Sequence, residues 1–267
     1  MSGSNTLGLF DGTKFQYLPT TKDGRQLFQM SNGVCELGDS KFWVYTTNGL
    51  FLLDARTMHF EHISLSAKED SIYGYNTNNI IDYPKENCKL LTTDGFGSFV
   101  VNTKTQKVDQ ALSDKLNKAF QEGFITYPVI DKQGRLWAIG RVVKLVCINL
   151  KDFRSHRLNY TPKAAALLER STITRLLETE DGMLIGTNHG LLIYNQKENL
   201  VYESDSFTTD LFVSAILRTH DNRILIGTDG RGIWEYKKTG EVHSIDALYD
   251  MTADLNISYG KVMDLKE

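Results

Sequence analysis

The residues best suited to chemistry in this chain are the glycine-rich stretch "GTDGRG" (227–232), the Asp-Gly turn "DKQGRLW" (131–137), six histidines and three cysteines. A glycine-rich turn carrying an Asp and an Arg could cradle a phosphate. This one lacks the Lys-Ser/Thr ending of one standard phosphate loop and the strand-to-helix context of the other, because "IWEYK" after it reads as a strand. His59 and His62 are three apart, and in an alternating strand they face opposite sides, which is wrong for a shared metal ion. His156 and His243 occupy similar outer-strand slots and read as surface residues. Cys35, Cys88 and Cys147 are odd in number, far apart and each in an apolar run, so they read as small buried residues rather than a disulfide framework or metal site. No Ser-His-Asp set or carboxylate pair stands out. Residue types alone therefore name no catalytic group, metal ligand or cofactor. Any site has to be assembled by a fold that brings distant loops together.

That fold is written in a repeat. Aligned on the Thr of "GT", the copies are "FWVYTTNGLFLLD" from Phe42, "LLTTDGFGSFVVN" from Leu90, "LWAIGRVVKLVCIN" from Leu136, "LIGTNHGLLIYN" from Leu184 and "ILIGTDGRGIWEYK" from Ile224. The Thr slot holds Thr46, Thr93, Gly140, Thr187 and Thr228, at steps of 47, 47, 47 and 41 residues. Three residues before it lies a large apolar residue: Trp43, Leu90, Trp137, Leu184 or Leu225. After it come Gly49, Gly97, Lys144, Gly190 or Gly232. An apolar strand and a turn precede each motif, and a weaker alternating strand such as "HFEHIS" or "SHRLN" follows it. Four short strands at this period describe a β-propeller blade.

The expected fold is all-β: five complete blades at about 30–65, 77–110, 125–160, 172–205 and 212–246, in one domain spanning 1–267. A blade alone cannot bury its faces, so stacking between neighbours must supply the core. The first strand of each blade is expected to be packed on both faces and the last to be the polar edge. Trp43, Trp137 and Trp234 are expected to pack between blades rather than serve as sugar platforms. The motif glycines suit left-handed positions in tight hairpins, with a bulge where three residues separate Thr from Gly. The linkers 113–123 and 161–171 could each hold a helical turn. Residues 5–18 match the third and fourth strands of a partial blade, with Leu7 on Leu50 and Asp11 on Asp54. Residues 258–267 read as a first strand only. Joined ends would make a sixth blade without its second strand, so the expectation is a six- or seven-bladed ring, with the chain either a fragment of a longer protein or a domain whose missing strand comes from elsewhere.

Bulk properties exclude some partners. A net charge of −3 with no basic run makes no electrostatic case for nucleic acid. No apolar run is long enough to span a membrane, and "MSGSNTLGLF" has no basic region followed by an apolar core.

"GTNHGLLIYN" and "LWAIG" resemble the repeat of the two-component regulator propellers, roughly Asp-x-x-Gly-x-Leu-Trp-Ile-Gly-Thr, two spacers, Gly-Leu, two spacers, Tyr-Asp. "NTLGLFDGTKF" is similar to their usual first blade, with Thr6 in place of a Gly. Tyr45 and Thr92 at the Gly slot, and Gly140 with Lys144 in the third copy, depart from the pattern. The resemblance covers 5–267. It implies the periplasmic sensor region of a Bacteroidetes hybrid two-component histidine kinase. In such receptors propellers precede a membrane helix and a kinase, the receptor is a homodimer, and oligosaccharides are the signals. It implies that this chain itself is non-catalytic and meets the membrane only through segments beyond it.

The ligand face follows from topology. In an antiparallel blade the turn between strands two and three opens on the same side as the entry to strand one, so all the Thr-x-x-Gly turns share one face. That face would carry Asn48, Asp94, Phe96, Arg141, Asn188, His189, Asp229 and Arg231. Polar groups with one aromatic suit a sugar, and Arg141 and Arg231 could grip an acidic one by bidentate hydrogen bonds. Two other functions fit a propeller. An enzyme on this scaffold would need a metal or carboxylate cluster at the axis. A protein-interaction propeller of the WD type would carry Trp-Asp and Gly-His signatures, which the copies lack. "DKQGRLW" resembles the Asp-box turn of sialidase propellers with its spacing one residue too long, and the Asp-Gly pair reads more simply as a turn former.

Overall fold

A computed structural model describes residues 2–3, 6–10, 12–17, 21–22, 25–68, 74–121, 123–204, 211–237, 242–244, 262 and 265. The fold is an all-β propeller built of antiparallel blades. The chain forms two compact units, Met1–Ser155 and His156–Glu267.

The first unit opens with a three-stranded sheet, β1 (Ser2–Gly3), β2 (Thr6–Phe10) and β3 (Phe15–Tyr17), then a hairpin of β4 (Thr21–Lys22) and β5 (Arg25–Gln26). β2 and β3 are the hairpin read from residues 5–18, and β1 adds a short strand beside it; Asp11 lies outside the described residues. The first full blade is β6 (Ser31–Gly38), β7 (Lys41–Thr46), β8 (Gly49–Asp54) and β9 (His59–Ile63). The second is β10 (Thr77–Asp82), β11 (Cys88–Thr93) and β12 (Ser98–Asn102), followed by α1 (Gln110–Phe120). The third is β13 (Ile125–Ile130), β14 (Arg135–Gly140), β15 (Leu145–Asn149) and the two-residue β16 (Arg154–Ser155).

In the second unit, β17 (Asn159–Tyr160) and α2 (Pro162–Arg170) lead into β18 (Ile173–Glu178), β19 (Gly182–Thr187), β20 (Gly190–Asn195) and β21 (Leu200–Glu203). The last described blade is β22 (Val213–Arg218), β23 (Ile224–Thr228), β24 (Ile233–Tyr236) and β25 (Val242–Ser244). Of the first strand read from 258–267, only Val262 and Leu265 are described. Val262 packs on Gly227 as Val213 packs on Gly186, each with a Cγ1 2.6 Å from where a Cβ would stand.

Stacked sheets supply the cores. Trp43, Leu50 and Ile63 of the first blade meet Leu91, Phe99 and Val101 of the second. Leu90 and Val100 meet Leu136 and Ala138 of the third. Within the second unit, Leu184 and Ile193 meet Val213 and Ile226. Trp43 is completely buried in the first of these seams, and Trp137 is completely buried as well.

Three expectations need correcting. In the first four blades the strands packed on both faces are the second and third, with β14 and β19 buried at every residue, whereas the first strands are only partly buried; in the fifth the third strand is partly buried throughout. A first strand pairs on one side only, so its other edge and part of its face stay open. Second, the linkers hold complete helices. Asp109 caps α1 by accepting the Leu112 N–H at 3.1 Å, and Thr161 caps α2 with Pro162 in the first turn. Third, the outer strands are irregular. In the second blade the fourth strand is reduced to a single bridge between Val101 and Val108. The edge of β12 is satisfied instead by α1 and its cap. Asn117 donates to the Ser98 carbonyl at 2.9 Å and accepts the Ser98 N–H at 2.7 Å, Ser113 Oγ accepts the Val100 N–H, and Asp109 N–H donates to the Val100 carbonyl. "SHRLN" is likewise split. Arg154–Ser155 pairs with β15, while Asn159–Tyr160 runs parallel to β21 in the following sheet. His156 thus leaves the strand it was read into and lies half buried, 3.1 Å from Asn199 Oδ1.

Candidate functional site on the turn face

The Thr slot is the hinge of each turn. Its hydroxyl is buried and donates to the carbonyl of the following motif glycine: Thr46 to Gly49 at 2.9 Å, Thr93 to Gly97 at 2.7 Å, Thr187 to Gly190 at 2.9 Å and Thr228 to Gly232 at 2.8 Å. In the shorter turns the same oxygen accepts the N–H two residues on, from Asn48 and His189. The longer turns carry two left-handed glycines each, Gly95 with Gly97 and Gly230 with Gly232. The register bulges lie elsewhere, near the start of every first strand. Thr187→Val keeps the shape and strands a buried carbonyl and a turn N–H. The expected loss is about 1–3 kcal/mol by urea unfolding.

The residue after the Thr slot is pinned by its N–H to the chain just before the first strand: Thr47 to Met30, Asp94 to Asn76, Asn188 to Thr172 and Asp229 to Phe212, at 2.9–3.1 Å. Turn and strand entry are therefore held together on one side of each sheet.

In the first unit these turns converge on a cluster. Phe96 projects from its turn, 57% exposed, and stacks on Tyr75 with ring centroids 4.2 Å apart and planes 5° from parallel. Tyr75 stacks in turn toward Phe99 at 5.9 Å. Arg141 lies over the Phe124 ring at 4.6 Å, and its Nη2 is 3.7 Å from the Asp94 carboxylate. Asp94 and Phe124 are also joined by a backbone bridge. Asn48 accepts the N–H of Gly74, beside Tyr75, on its backbone carbonyl. Asp94, Phe96 and Arg141 thus come together, with Asn48 one linker away, and the structure adds Tyr75 and Phe124. Val142 and Val143 beyond Arg141 are exposed as well.

In the second unit, Asn188 is occupied by the fold, its Oδ1 accepting the Thr172 N–H at 2.7 Å. His189 is half buried in its turn, while Asp229 and Arg231 are exposed. The Arg231 carbonyl accepts the Trp234 indole N–H at 3.0 Å.

Other sequence candidates have structural roles. Asp131 of "DKQGRLW" is buried and accepts four N–H bonds. Cys88 and Cys147 are buried free thiols, and burial pushes the Cys147 thiol up to about 12, which makes it inert. A cleft of ≈ 270 Å³ lies at the opposite ends of the strands in the second unit, lined by Asp181, Arg218, Arg223, Glu235, Tyr236 and Lys237 among others. Its basic residues and Glu235 are already engaged. Glu235 takes Arg223 at 3.0 Å and Lys237 at 2.7 Å, which holds its carboxyl below the usual range, and Arg218 donates to the Glu178 carbonyl at 2.6 Å. Among the described residues no group of three or more His, Cys, Asp or Glu could hold a metal ion. No helix among them is long and apolar enough to cross a membrane.

No family profile matches the sequence, and none of the curated proteins matches it. Solved structures do. One is the extracellular domain of a protein described as a hybrid two-component system from B. thetaiotaomicron, at 17% identity and TM-score 0.66, covering 91% of this chain and 32% of that one. A second, described as a one-component system from the same organism, has 14% identity and TM-score 0.65 over 99% of this chain and 34% of that one. A third is PorZ, a bacterial surface component of the type-IX secretion system of Porphyromonas gingivalis, at 12% identity and TM-score 0.63 over 90% of this chain and 37% of that one. The chain spans about a third of the length of each. It shares its fold with the extracellular propeller regions of Bacteroidetes two-component systems, the region its repeat resembles.

Proposed function

We propose that this chain is the ligand-sensing propeller of a two-component signalling receptor, that it works outside the cytoplasm, in the periplasm, and that its signal is an oligosaccharide. The chain itself is non-catalytic and takes no cofactor. Signalling chemistry and homodimerisation belong to the remainder of the receptor. Neighbours that are extracellular domains of such systems support the sensor reading. The observation that carries the sugar reading is the parallel Tyr75–Phe96 stack, with one aromatic face turned to solvent and Arg141 and Asp94 on the adjoining turn. Proteins seldom leave a stacked aromatic exposed without use, and a pyranose ring lays its C–H face on such a platform while charged groups take its hydroxyls.

Calorimetric titration with a panel of neutral and acidic oligosaccharides tests this. Phe96→Ala and Arg141→Ala are each expected to weaken the bound sugar about tenfold or more. Arg231→Ala asks whether the second unit takes part. Unchanged affinity in all three variants would refute the turn-face site, and no heat with any sugar would refute the reading for this chain.

A further inference from the structure

The ≈ 270 Å³ cleft of the second unit has an inner wall set by strand register. Arg218 on β22 pairs with Ile224 on β23, and Ile224 pairs with Tyr236 on β24. Paired residues share a face, so the three stand in a row across the blade. Arg218 and Tyr236 are then two strand spacings, about 10 Å, apart at the backbone. Ile224 is buried between them, and it and Tyr236 belong to the core shared with the fourth blade. The turn 179–181 between β18 and β19 lines the cleft as well. Arg223 turns the other way, where its Nε and Lys237 Nζ share Oε1 of Glu235 at the rim.

Both ends of the row carry polar groups with capacity to spare. Arg218 is half buried. Its one hydrogen bond among the described residues, Nη2 to the Glu178 carbonyl at 2.6 Å, orients the guanidinium without neutralising it. No carboxylate among those residues forms an ion pair with it. A half-buried charge without a counterion is costly, and an anionic ligand would supply one. Tyr236 is half buried too, and its hydroxyl has no hydrogen bond among the described residues. Burial, with Tyr202 and the Asp181 carboxylate nearby, pushes that hydroxyl up to about 12, so it stays protonated. Asp181 lines the same cleft, and its carboxylate likewise has no hydrogen bond or ion pair among the described residues.

We infer that this cleft binds a small hydroxy acid the size of one sugar acid, with its carboxylate on Arg218, its carbon skeleton on Ile224 and a hydroxyl between Tyr236 and Asp181. A carboxylate takes the paired donors along a guanidinium edge. A hydroxyl accepts from Tyr236 and donates to Asp181 at once, which an ammonium, a donor only, cannot do. The volume lies below the roughly 300–1,000 Å³ of pockets for drug-sized ligands, which limits the occupant to a single ring. The site shares no residue with the turn face.

Titration calorimetry with galacturonate, galactose and cyclohexanecarboxylate tests the two ends separately. Galactose lacks the carboxylate, and cyclohexanecarboxylate lacks the hydroxyls. Galacturonate is expected to bind at least about tenfold more tightly than either. Arg218→Gln is expected to erase the margin over galactose. Tyr236→Phe keeps the ring in the core and is expected to erase the margin over cyclohexanecarboxylate. Phe96→Ala, on the turn face, is expected to change none of these affinities. No heat with galacturonate, equal affinity for galactose, or undiminished galacturonate affinity in both cleft variants would overturn the inference and leave the turn-face reading standing. Loss of galacturonate binding in Phe96→Ala would also overturn it, by moving the acid to the turn face.

Discussion

Replacing Asp131 by alanine is expected to remove about 3–5 kcal/mol of stability, measured as a shift of the urea midpoint followed by the fluorescence of the buried Trp43 and Trp137. The carboxylate side chain is 2% exposed and its ion-pair partner Arg135 9%. Four donors converge on it: the Gln133 N–H at 3.0 Å, the Arg135 N–H at 2.9 Å, Arg135 Nε at 2.7 Å and the Trp137 indole N–H at 2.7 Å. The guanidinium also lies over the Trp137 ring at 5.4 Å. Deleting the carboxylate takes the matching charge from a buried guanidinium and the acceptor from a buried indole, and the remaining donors cannot reach bulk water. The exposed pair Arg154–Asp152 has 4.0 Å between its charges and stands 86% and 50% exposed. Asp152→Ala should therefore stay within about 0.5 kcal/mol of wild type. A shift below about 1 kcal/mol for Asp131→Ala would mean that the turn closes without its carboxylate. The sequence "DKQGRLW" thus marks a structural lock, and its acid has no lone pair left for chemistry.

The blades were legible because one local signal, Thr-x-x-Gly between two apolar runs, is enforced by a local bond: the Thr hydroxyl closes its own turn on the glycine three or four residues later. Phe96, Asp94 and Arg141 could be placed on one face for the same reason. The outer strands were not legible, because what satisfies an edge is decided by tertiary contact. β12 takes its partners from Ser113 and Asn117 of α1, so the expected fourth strand is dispensable there. The helices themselves were signalled more strongly than they were read, Thr161-Pro162 being a capping residue followed by a preferred first-turn residue. Tyr75 gave no signal as an aromatic in a linker; it stands one residue ahead of Asn76, to which the Asp94 turn is pinned. The side-chain bonds between neighbouring first strands, Asn32 to Asn76 and Thr126 and Tyr127 to Asn79, were hidden for a different reason. They join residues 44 to 48 apart, about one blade period, and the bulges break the alternation by which side-chain direction is read along a strand.

The turn before β19 carries the second large effect. In the third and fifth blades three residues separate the residues whose backbones close this turn, Asp131 with Arg135 and Thr219 with Arg223. In the fourth only two do, the Thr179 N–H bonding the Gly182 carbonyl at 2.9 Å. Tightening the turn draws Gly182 onto the neighbouring strand, so that a Cβ there would stand 1.9 Å from the Tyr194 carbonyl oxygen and 2.9 Å from its carbon. The obstacle is backbone in the middle of a sheet and cannot rotate away as a side chain would. Tyr194 is itself completely buried. Gly182→Ala is therefore expected to cost at least about 3 kcal/mol, by forcing β19 from β20. Gly190, in the next turn of the same blade, has the more unusual backbone, φ +136, yet nothing within 4 Å of its missing Cβ. Gly190→Ala should cost only the conformational strain, about 1–2 kcal/mol. Hydrogen exchange followed by mass spectrometry over residues 173–195 reads both. Protection should collapse in Gly182→Ala and decline modestly in Gly190→Ala, and the reverse order would show that backbone strain, not space, dictates glycine in this blade.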